Sequence, residues 1–405
     1  MLGLAAIAAA AGFGQFGAVA ALADVARDFG TVLDGDDLTL AEQAGLSGTA
    51  LGVGLAVIRL ASILSLPRAG LADVRGRRPT LLALATVGLL LVVLAATTPS
   101  YWWFVAVFAL SRPLLTASNA IAGTSAAEQT ASSDRAKSVA LLAAGFGAGA
   151  GLFAIVRGLL GDQIGFRPVF AMAIVAVGVV ALASRWITEP DRYRQMRAED
   201  QPVTPMLGAV HRRHLPRLLP VLGLAFAVAV VTGPANSFVF LYAESILDLS
   251  PATSAALVTA AGVTGLTGLL AGRWGADRIG RRATGALGLV GVAVGGIVTY
   301  SGGPAAAAGG YLFAVFAGSV FAPAAGALHA ELFPTRVRGS VAGWTVSAGV
   351  LGAVTGLIAF GAIADRADRF DLAAVVVFVP AAFAAALFAM VPETKGQELE
   401  TSAAR

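Results

Sequence analysis

Cysteine is absent from the 405 residues, which excludes a disulfide framework and thiol chemistry. Histidine occurs only as His211, His214 and His329, too few and too scattered for a His-rich metal centre. Charged residues make up 13% of the chain. An ordinary soluble domain carries about 25%. Lysine is confined to Lys137 and Lys395, so the basic set is almost all arginine. A phosphate loop of the Gly-x-x-x-x-Gly-Lys type is missing, so ATP is not the expected energy source and no cofactor is expected. The basic residues sit in short segments between apolar runs, a pattern of membrane topology and not of nucleic-acid binding.

Apolar sequence is what the chain has in excess. Hydrophobic residues make up 57%, more than a water-soluble core of this length can hide. A bilayer-spanning helix needs roughly 20 mostly apolar residues. Twelve such runs are predicted. Six lie in the first half, at Leu2–Leu22, Ala50–Pro67, Thr80–Ala96, Trp102–Ile121, Val139–Leu160 and Val169–Ile187. Six lie in the second, at Leu218–Tyr242, Ala255–Ala271, Thr284–Tyr300, Gly310–Leu328, Val341–Ile363 and Leu372–Val391. The first run has no charged leader and no cleavage signature, and is expected to be a retained helix. Gly and Ala dominate many faces, as close helix packing in lipid requires.

The charged residues between the runs repeat. Ala72-Asp73-Val74-Arg75-Gly76-Arg77-Arg78 returns as Ala276-Asp277-Arg278-Ile279-Gly280-Arg281-Arg282, with Asp277 standing 204 residues after Asp73. Glu128 and Arg135 return as Glu331 and Arg338, and Glu189 beside Pro190 returns as Glu393 beside Pro392. One order at one spacing implies a duplicated unit. The expected organisation is a six-helix bundle at 1–187, a linker at 188–217, a second six-helix bundle at 218–391 and a tail at 392–405. The fold class is therefore an all-α membrane protein of twelve transmembrane helices in two pseudo-repeated bundles. Duplicated sets of membrane helices are the architecture of secondary transporters.

Arginine also sets orientation. One set of connections holds most of the basic residues, and the other holds only Arg27, Arg167, Arg366 and Arg369. The crowded side is expected to be cytoplasmic, with both termini on it, in an inner membrane. The connection after the first run is acidic instead, with Asp24, Asp28, Asp34, Asp36, Asp37 and Glu42.

The segment Gly70-Leu71-Ala72-Asp73-Val74-Arg75-Gly76-Arg77-Arg78-Pro79 resembles the signature loop of the major facilitator superfamily. Its second copy stands at Gly275 to Arg282. Glu331-Leu332-Phe333-Pro334-Thr335-Arg336-Val337-Arg338-Gly339 and Pro392-Glu393-Thr394-Lys395-Gly396 are similar to signatures of its sugar-porter and metabolite–proton symporter branches. The resemblance covers essentially the whole chain and implies the major facilitator fold. It also implies two charged clusters acting as a cytoplasmic gate. Asp73, Arg77, Arg78, Glu128, Arg135 and Glu189 form one. Asp277, Arg281, Arg282, Glu331, Arg338 and Glu393 form its twin. Arg–carboxylate pairs at a low-dielectric edge can latch two bundles, provided the latch is only a few kcal/mol deep. The first copy departs from the pattern, lacking the proline and glycine of its twin and reversing Pro-Glu to Glu189-Pro190.

In that superfamily the substrate binds near the bilayer midplane, so polar residues inside the runs are the candidates. They are Gln15, Arg59, Arg112, Asn119, Asn236 and Tyr242, the last two flanking a Gly233-Pro234 break. Such a break frees backbone groups that a cavity or a substrate must satisfy. An intramembrane arginine is expensive and is a functional candidate by default. Arg157 stands nearer the outer face and is expected to snorkel. Two cavity-facing arginines favour an anionic solute such as an organic acid. The expected function is secondary active transport of such a solute by a monomeric carrier with alternating access, coupled to protons. The alternatives are efflux of amphipathic compounds or carriage of a sugar or polyol. A non-transporting receptor would want a larger cytoplasmic domain, and an enzyme would want midplane nucleophiles or metal ligands.

Overall fold

The computed structural model describes residues 1–33, 38–130, 135–190, 208 and 210–395, and their side chains except at 135–136, 139, 161–163, 329–330, 335–336 and 338. Most of the expected linker and tail lie outside the described residues. So do Asp34, Asp36 and Asp37, and the side chains of Arg135, Arg338 and His329.

The described residues are helical almost throughout and contain no strand. Twelve helices are long and apolar enough to cross a membrane. They are α1 (Leu2–Ala20), α2 (Gly48–Arg75), α3 (Arg77–Ala95), α4 (Tyr101–Gln129), α5 (Ala140–Leu160) and α6 (Phe166–Ala183). The second six are α7 (Arg212–Ile246), α8 (Pro251–Arg278), α9 (Arg281–Thr299), α10 (Pro304–Leu328), α11 (Gly339–Ala367) and α12 (Phe370–Met390). Several run past their apolar cores, because helical hydrogen bonding continues into the polar interface. The clearest case is the segment expected to be a loop at 70–79. It is helical up to Arg75, and Gly76 alone makes the turn into α3 with φ 108°. Gly280 does the same before α9 with φ 123°. Both glycines occupy a region that side-chain-bearing residues avoid.

The chain divides into two compact units. The first comprises Met1–Val25, Val57–Thr204 and Ser250–Ala255. Here α1 lies so close to α5 that a Cβ on Gly149 would collide with the Ala9 carbonyl. Such approach trades side chains for backbone contact, as packing in lipid favours. A phenylalanine cluster fills the rest. Phe170 meets Phe104, Phe108 and Phe153 with ring centroids 5.6, 5.5 and 5.3 Å away. Edge-to-face and tilted pairs of this kind satisfy the ring quadrupoles.

The second unit comprises Ala26–Ala56, Pro205–Leu249 and Ala256–Arg405. The crossing of α7 and α11 repeats the α1–α5 device, with Gly352 against the Phe226 carbonyl and Gly356 against that of Val230. The start of α2 belongs to this unit. The Asp365 carboxylate accepts the backbone N–H groups of Gly48 at 2.6 Å and Thr49 at 2.7 Å. Those donors would otherwise be orphans of the helix start. Gly52 and Gly361 let the two backbones meet there, against the carbonyls of Leu357 and Gly48.

Candidate functional site

Two charged clusters form at the ends of the helices expected to be cytoplasmic, one in each unit. In the first unit Arg77 sits on the opening turn of α3. Its guanidinium pairs with Asp73 one turn back on α2 at 2.6 Å, and with Glu128 at the end of α4 at 2.8 Å. A further Arg77 Nε–H donates to Glu128 at 3.2 Å, making a forked pair. Glu189, beyond α6, accepts the backbone N–H groups of Arg77 at 2.5 Å and Arg78 at 3.1 Å. A carboxylate at a helix N-terminus meets both orphan donors and the positive end of the dipole. The Arg78 side chain turns away and donates to the Ser184 carbonyl at 3.1 Å.

The second unit builds the twin. Arg281 pairs with Asp277 at 3.4 Å and Glu331 at 3.2 Å. Glu393 accepts from the backbone N–H groups of Arg281 at 3.0 Å and Arg282 at 3.1 Å. Burial works against the charge on Glu393. The backbone N–H groups of Arg282, Arg281, Lys395 and Thr394 outweigh it and hold the carboxyl below its ordinary value. The Thr394 hydroxyl donates to Glu331. Glu189 takes the place of Glu393 although its order with proline is reversed. Position at the turn, and not the dipeptide, decides that role. In each cluster these described pairs tie together helix ends of one unit: α2, α3 and α4 with the segment after α6, or α8, α9 and the end of the tenth helix with the segment after α12. Arg135 and Arg338, expected to join them, have side chains outside the description.

The intramembrane candidates separate by unit. In the first, Arg59 stands 11 residues into α2 and Arg112 stands 11 residues into α4. Both therefore stand in the interior of a helix long enough to span a hydrocarbon core of about 30 Å. Both are half-buried and lie within electrostatic reach of each other. One Arg112 Nη–H donates to the Gln15 main-chain carbonyl of α1 at 3.2 Å. Its Nε is buried without a partner among the described residues. Thr116, one turn on, donates to the Gln15 side-chain oxygen at 3.3 Å. Asn119 follows at helical spacing on α4, seven residues after Arg112. Gln15 itself is buried. Pro113, beside Arg112, leaves α4 continuous.

The second-unit candidates are differently placed. Asn236 donates its amide to the Thr232 carbonyl of its own helix at 2.9 Å. Tyr242 is buried and donates to the Gly302 carbonyl at 2.7 Å, with its ring 5.2 Å from that of Tyr300. The Pro234 break was expected to leave backbone groups for a cavity or a substrate. α7 runs helical through it, and the Tyr300 hydroxyl lies 3.2 Å from the Pro234 carbonyl and 3.4 Å from that of Ala235. The carbonyl that Pro234 frees is that of Val230, four residues back, which lies against Gly356 of α11.

One pairing was missed from the sequence. Arg157, expected to snorkel, is only 2% exposed and forms a forked pair with Asp24, at 2.6 and 2.8 Å. The signal was available in part: an acid and a base at the outer ends of two neighbouring helices. Their adjacency was not. Burial of the guanidinium makes pairing obligatory, since an unpaired charge there would cost several kcal/mol. No cluster of three or more potential metal ligands occurs among the described residues.

The sequence and the fold agree with known proteins. The model of the Major Facilitator Superfamily matches residues 4–275, and that named Sugar (and other) transporter matches residues 191–404. No curated protein sequence is similar enough to count as a relative. Among solved structures, the inward-open xylose transporter XylE from E. coli aligns over 99% of this chain and 98% of its own. Its TM-score is 0.74 at 19% identity. A D-xylose-proton symporter aligns over 98% of both chains, with a TM-score of 0.72 at 19% identity. A bacterial homolog to the human lysosomal transporter Spinster covers 96% of this chain and 95% of its own, with a TM-score of 0.72 at 14% identity. At these identities the likeness is one of fold. With twelve apolar helices, a duplicated charged signature and a family match over two thirds of its length, this chain belongs to the major facilitator superfamily of membrane transporters.

Proposed function

We propose that the protein is a proton-coupled carrier of a small polyhydroxylated solute, a sugar or polyol. The organic acid favoured by sequence gives way here to the sugar alternative. The second-half match to the sugar-transporter model and the likeness to xylose–proton symporters support that choice. The bundles at 1–187 and 218–391 rock about a midplane site, and the two charged clusters keep each bundle's cytoplasmic end rigid as it moves. The carrier is a monomer in the inner membrane, with both termini in the cytoplasm.

The observation that carries the coupling is the buried Asp24–Arg157 pair. The Asp24 carboxylate neutralises a guanidinium that burial has desolvated, so this pair is the place where we put the link between a proton and the rocking equilibrium. The test is uptake by proteoliposomes with and without an inward-acid pH gradient. Wild type is expected to accumulate sugar or polyol only with the gradient. Asp24→Asn is expected to keep solute exchange and lose gradient-driven accumulation. Undiminished accumulation in the variant would remove Asp24 from the coupling.

One observation favours the efflux alternative. A half-open apolar groove of about 470 Å³ runs between α1, α5 and α6, lined by Ala6, Ala10 and Phe13 and by the exposed Leu152, Val175 and Val179 among others. Its lining suits a hydrocarbon chain and offers almost nothing to a sugar. Sensitivity of a deletion strain to toxic amphiphiles separates the two.

A further inference from the structure

The apolar groove of the first unit ends at basic residues that the charged cluster does not use. Small residues give the groove its shape. Gly145 and Gly149 bring α5 against the Ala5 and Ala9 carbonyls of α1, and Gly3 brings the start of α1 against Ala183 and Ile187 at the end of α6. Beyond those contacts the facing side of α1 offers alanines, too short to fill the space. Ala6 and Ala10 therefore floor a trough walled by Leu152 and Val156 of α5 and by Val175 and Val179 of α6. The walls are exposed on helices long enough to span a membrane, so they face hydrocarbon. A trough so apolar has nothing to hold water, and hydrocarbon fills it. Its end near the charged cluster is different. Arg185 stands six residues beyond Val179, about 9 Å along the helix, and is exposed, as is Trp186 beside it. The Arg78 side chain, turned away from the cluster, donates to the Ser184 carbonyl at 3.1 Å. Two guanidinium groups thus flank the end of α6, and neither forms an ion pair among the described residues. Glu189, close by in sequence, is occupied by the backbone N–H groups of Arg77 and Arg78.

We infer that the groove and the two arginines form a binding site for an anionic phospholipid, with one acyl chain in the groove and the phosphate on Arg78 and Arg185. The lengths agree. Met172 lines the far part of the groove and stands 13 residues before Arg185, a rise of about 20 Å. One leaflet contributes about 15 Å of hydrocarbon, and the headgroup lies beyond it. The charges agree as well. Guanidinium forks match phosphate oxygens, and an exposed tryptophan such as Trp186 sits at headgroup depth. An anionic headgroup brings only the counter-charge that the arginines need. A zwitterionic one brings its own cation up against them. The lipid would join α1, α5 and α6 where their side chains do not meet. The site is independent of which solute is carried.

The experiment is native mass spectrometry of the full chain released from detergent micelles, with dioleoylphosphatidylglycerol, dioleoylphosphatidylcholine or inorganic phosphate added. Wild type is expected to retain a phosphatidylglycerol at a concentration about tenfold below that needed for phosphatidylcholine, as a charge-assisted contact implies. Inorganic phosphate, which has no chain for the groove, is expected not to be retained. Arg78→Gln combined with Arg185→Gln is expected to erase the preference and keep weak retention of both lipids. Ala176→Phe fills the groove, leaves both arginines in place and is expected to lower retention of both lipids about tenfold. The wild-type comparison needs no variant, so a variant that fails to fold leaves the test intact. Equal retention of the two lipids by wild type would overturn the inference, and so would phosphate held as well as phosphatidylglycerol. A dimer without lipid would give the groove to a second copy of the chain and overturn it too. Phosphatidylglycerol displaced by an exported amphiphile, with export lost in Ala176→Phe, would make the groove an efflux route and also overturn it.

Discussion

The two halves are twins at their charged ends and strangers in their middles. Arg77 with Asp73 and Glu128 matches Arg281 with Asp277 and Glu331, and Glu189 caps α3 as Glu393 caps α9. Inside the bilayer both halves keep their glycine crossings, and their polar and aromatic residues differ. Counting on by the 204-residue spacing, Val263 stands for Arg59 and Phe316 for Arg112. The second unit fills its interior with Phe238, Tyr242, Tyr300, Phe360, Phe370 and Phe378, and the first keeps Arg59, Arg112 and the Asp24–Arg157 pair. The ends hold helices together, a task both halves share. The middles are free to differ, and the first half holds the described intramembrane arginines where the second holds aromatic rings.

The strongest way to break that comparison is at the glycine crossings, which both halves need equally. Gly149→Leu and Gly356→Leu each force a side chain into a backbone carbonyl, of Ala9 and Val230 respectively. Overpacking typically costs about 1–3 kcal/mol and more where backbone must move. Both variants are expected to lose monodisperse folded protein in detergent, to similar extents. A folded, active Gly356→Leu would mean that the second half tolerates rearrangement the first does not.

A smaller effect sharpens the likeness of the ends. The Glu393 carboxyl is held below its ordinary value of 4.5 by backbone donors. A depressed carboxyl adds stability above its unfolded value, and that contribution is lost as pH falls through the folded value. The melting temperature of wild type is therefore expected to drop below about pH 4.5 by a component missing from Glu393→Gln. At neutral pH the variant is expected to lose about 0.5–1 kcal/mol, the usual worth of a carboxylate at a helix start. Identical acid profiles for variant and wild type would make the cap inert.

An effect of similar size tests the unlikeness of the middles. Tyr242→Phe removes one hydrogen bond to Gly302 and keeps the ring packed. A loss of about 1 kcal/mol in stability is expected, with an unchanged KM for transport. A raised KM would put the Tyr242 hydroxyl at the substrate and return part of the chemistry to the second half.

Much of this protein was legible in one dimension. The twelve apolar runs are the twelve spanning helices, and the repeat of Asp73, Glu128 and Glu189 as Asp277, Glu331 and Glu393 marks where the clusters form. Helix ends were read short, as at 70–75, because hydropathy falls before hydrogen bonding does. The Gly233-Pro234 pair was read as a break, and α7 stays helical through it, with the Tyr300 hydroxyl, 66 residues away, on the Pro234 carbonyl.

Solvent explains the division. A bilayer imposes length and hydropathy on each span separately, so composition alone determined the number of helices, their duplication and the charged marks between them. Which buried charge meets which partner depends on helix packing. Asp24 and Arg157 are 133 residues apart, and Asp365 lies 317 residues from the Gly48 amide it caps. Nothing local encodes those distances. Only the tertiary structure decided that Arg157 is paired and that Arg59 and Arg112 have no carboxylate partner among the described residues.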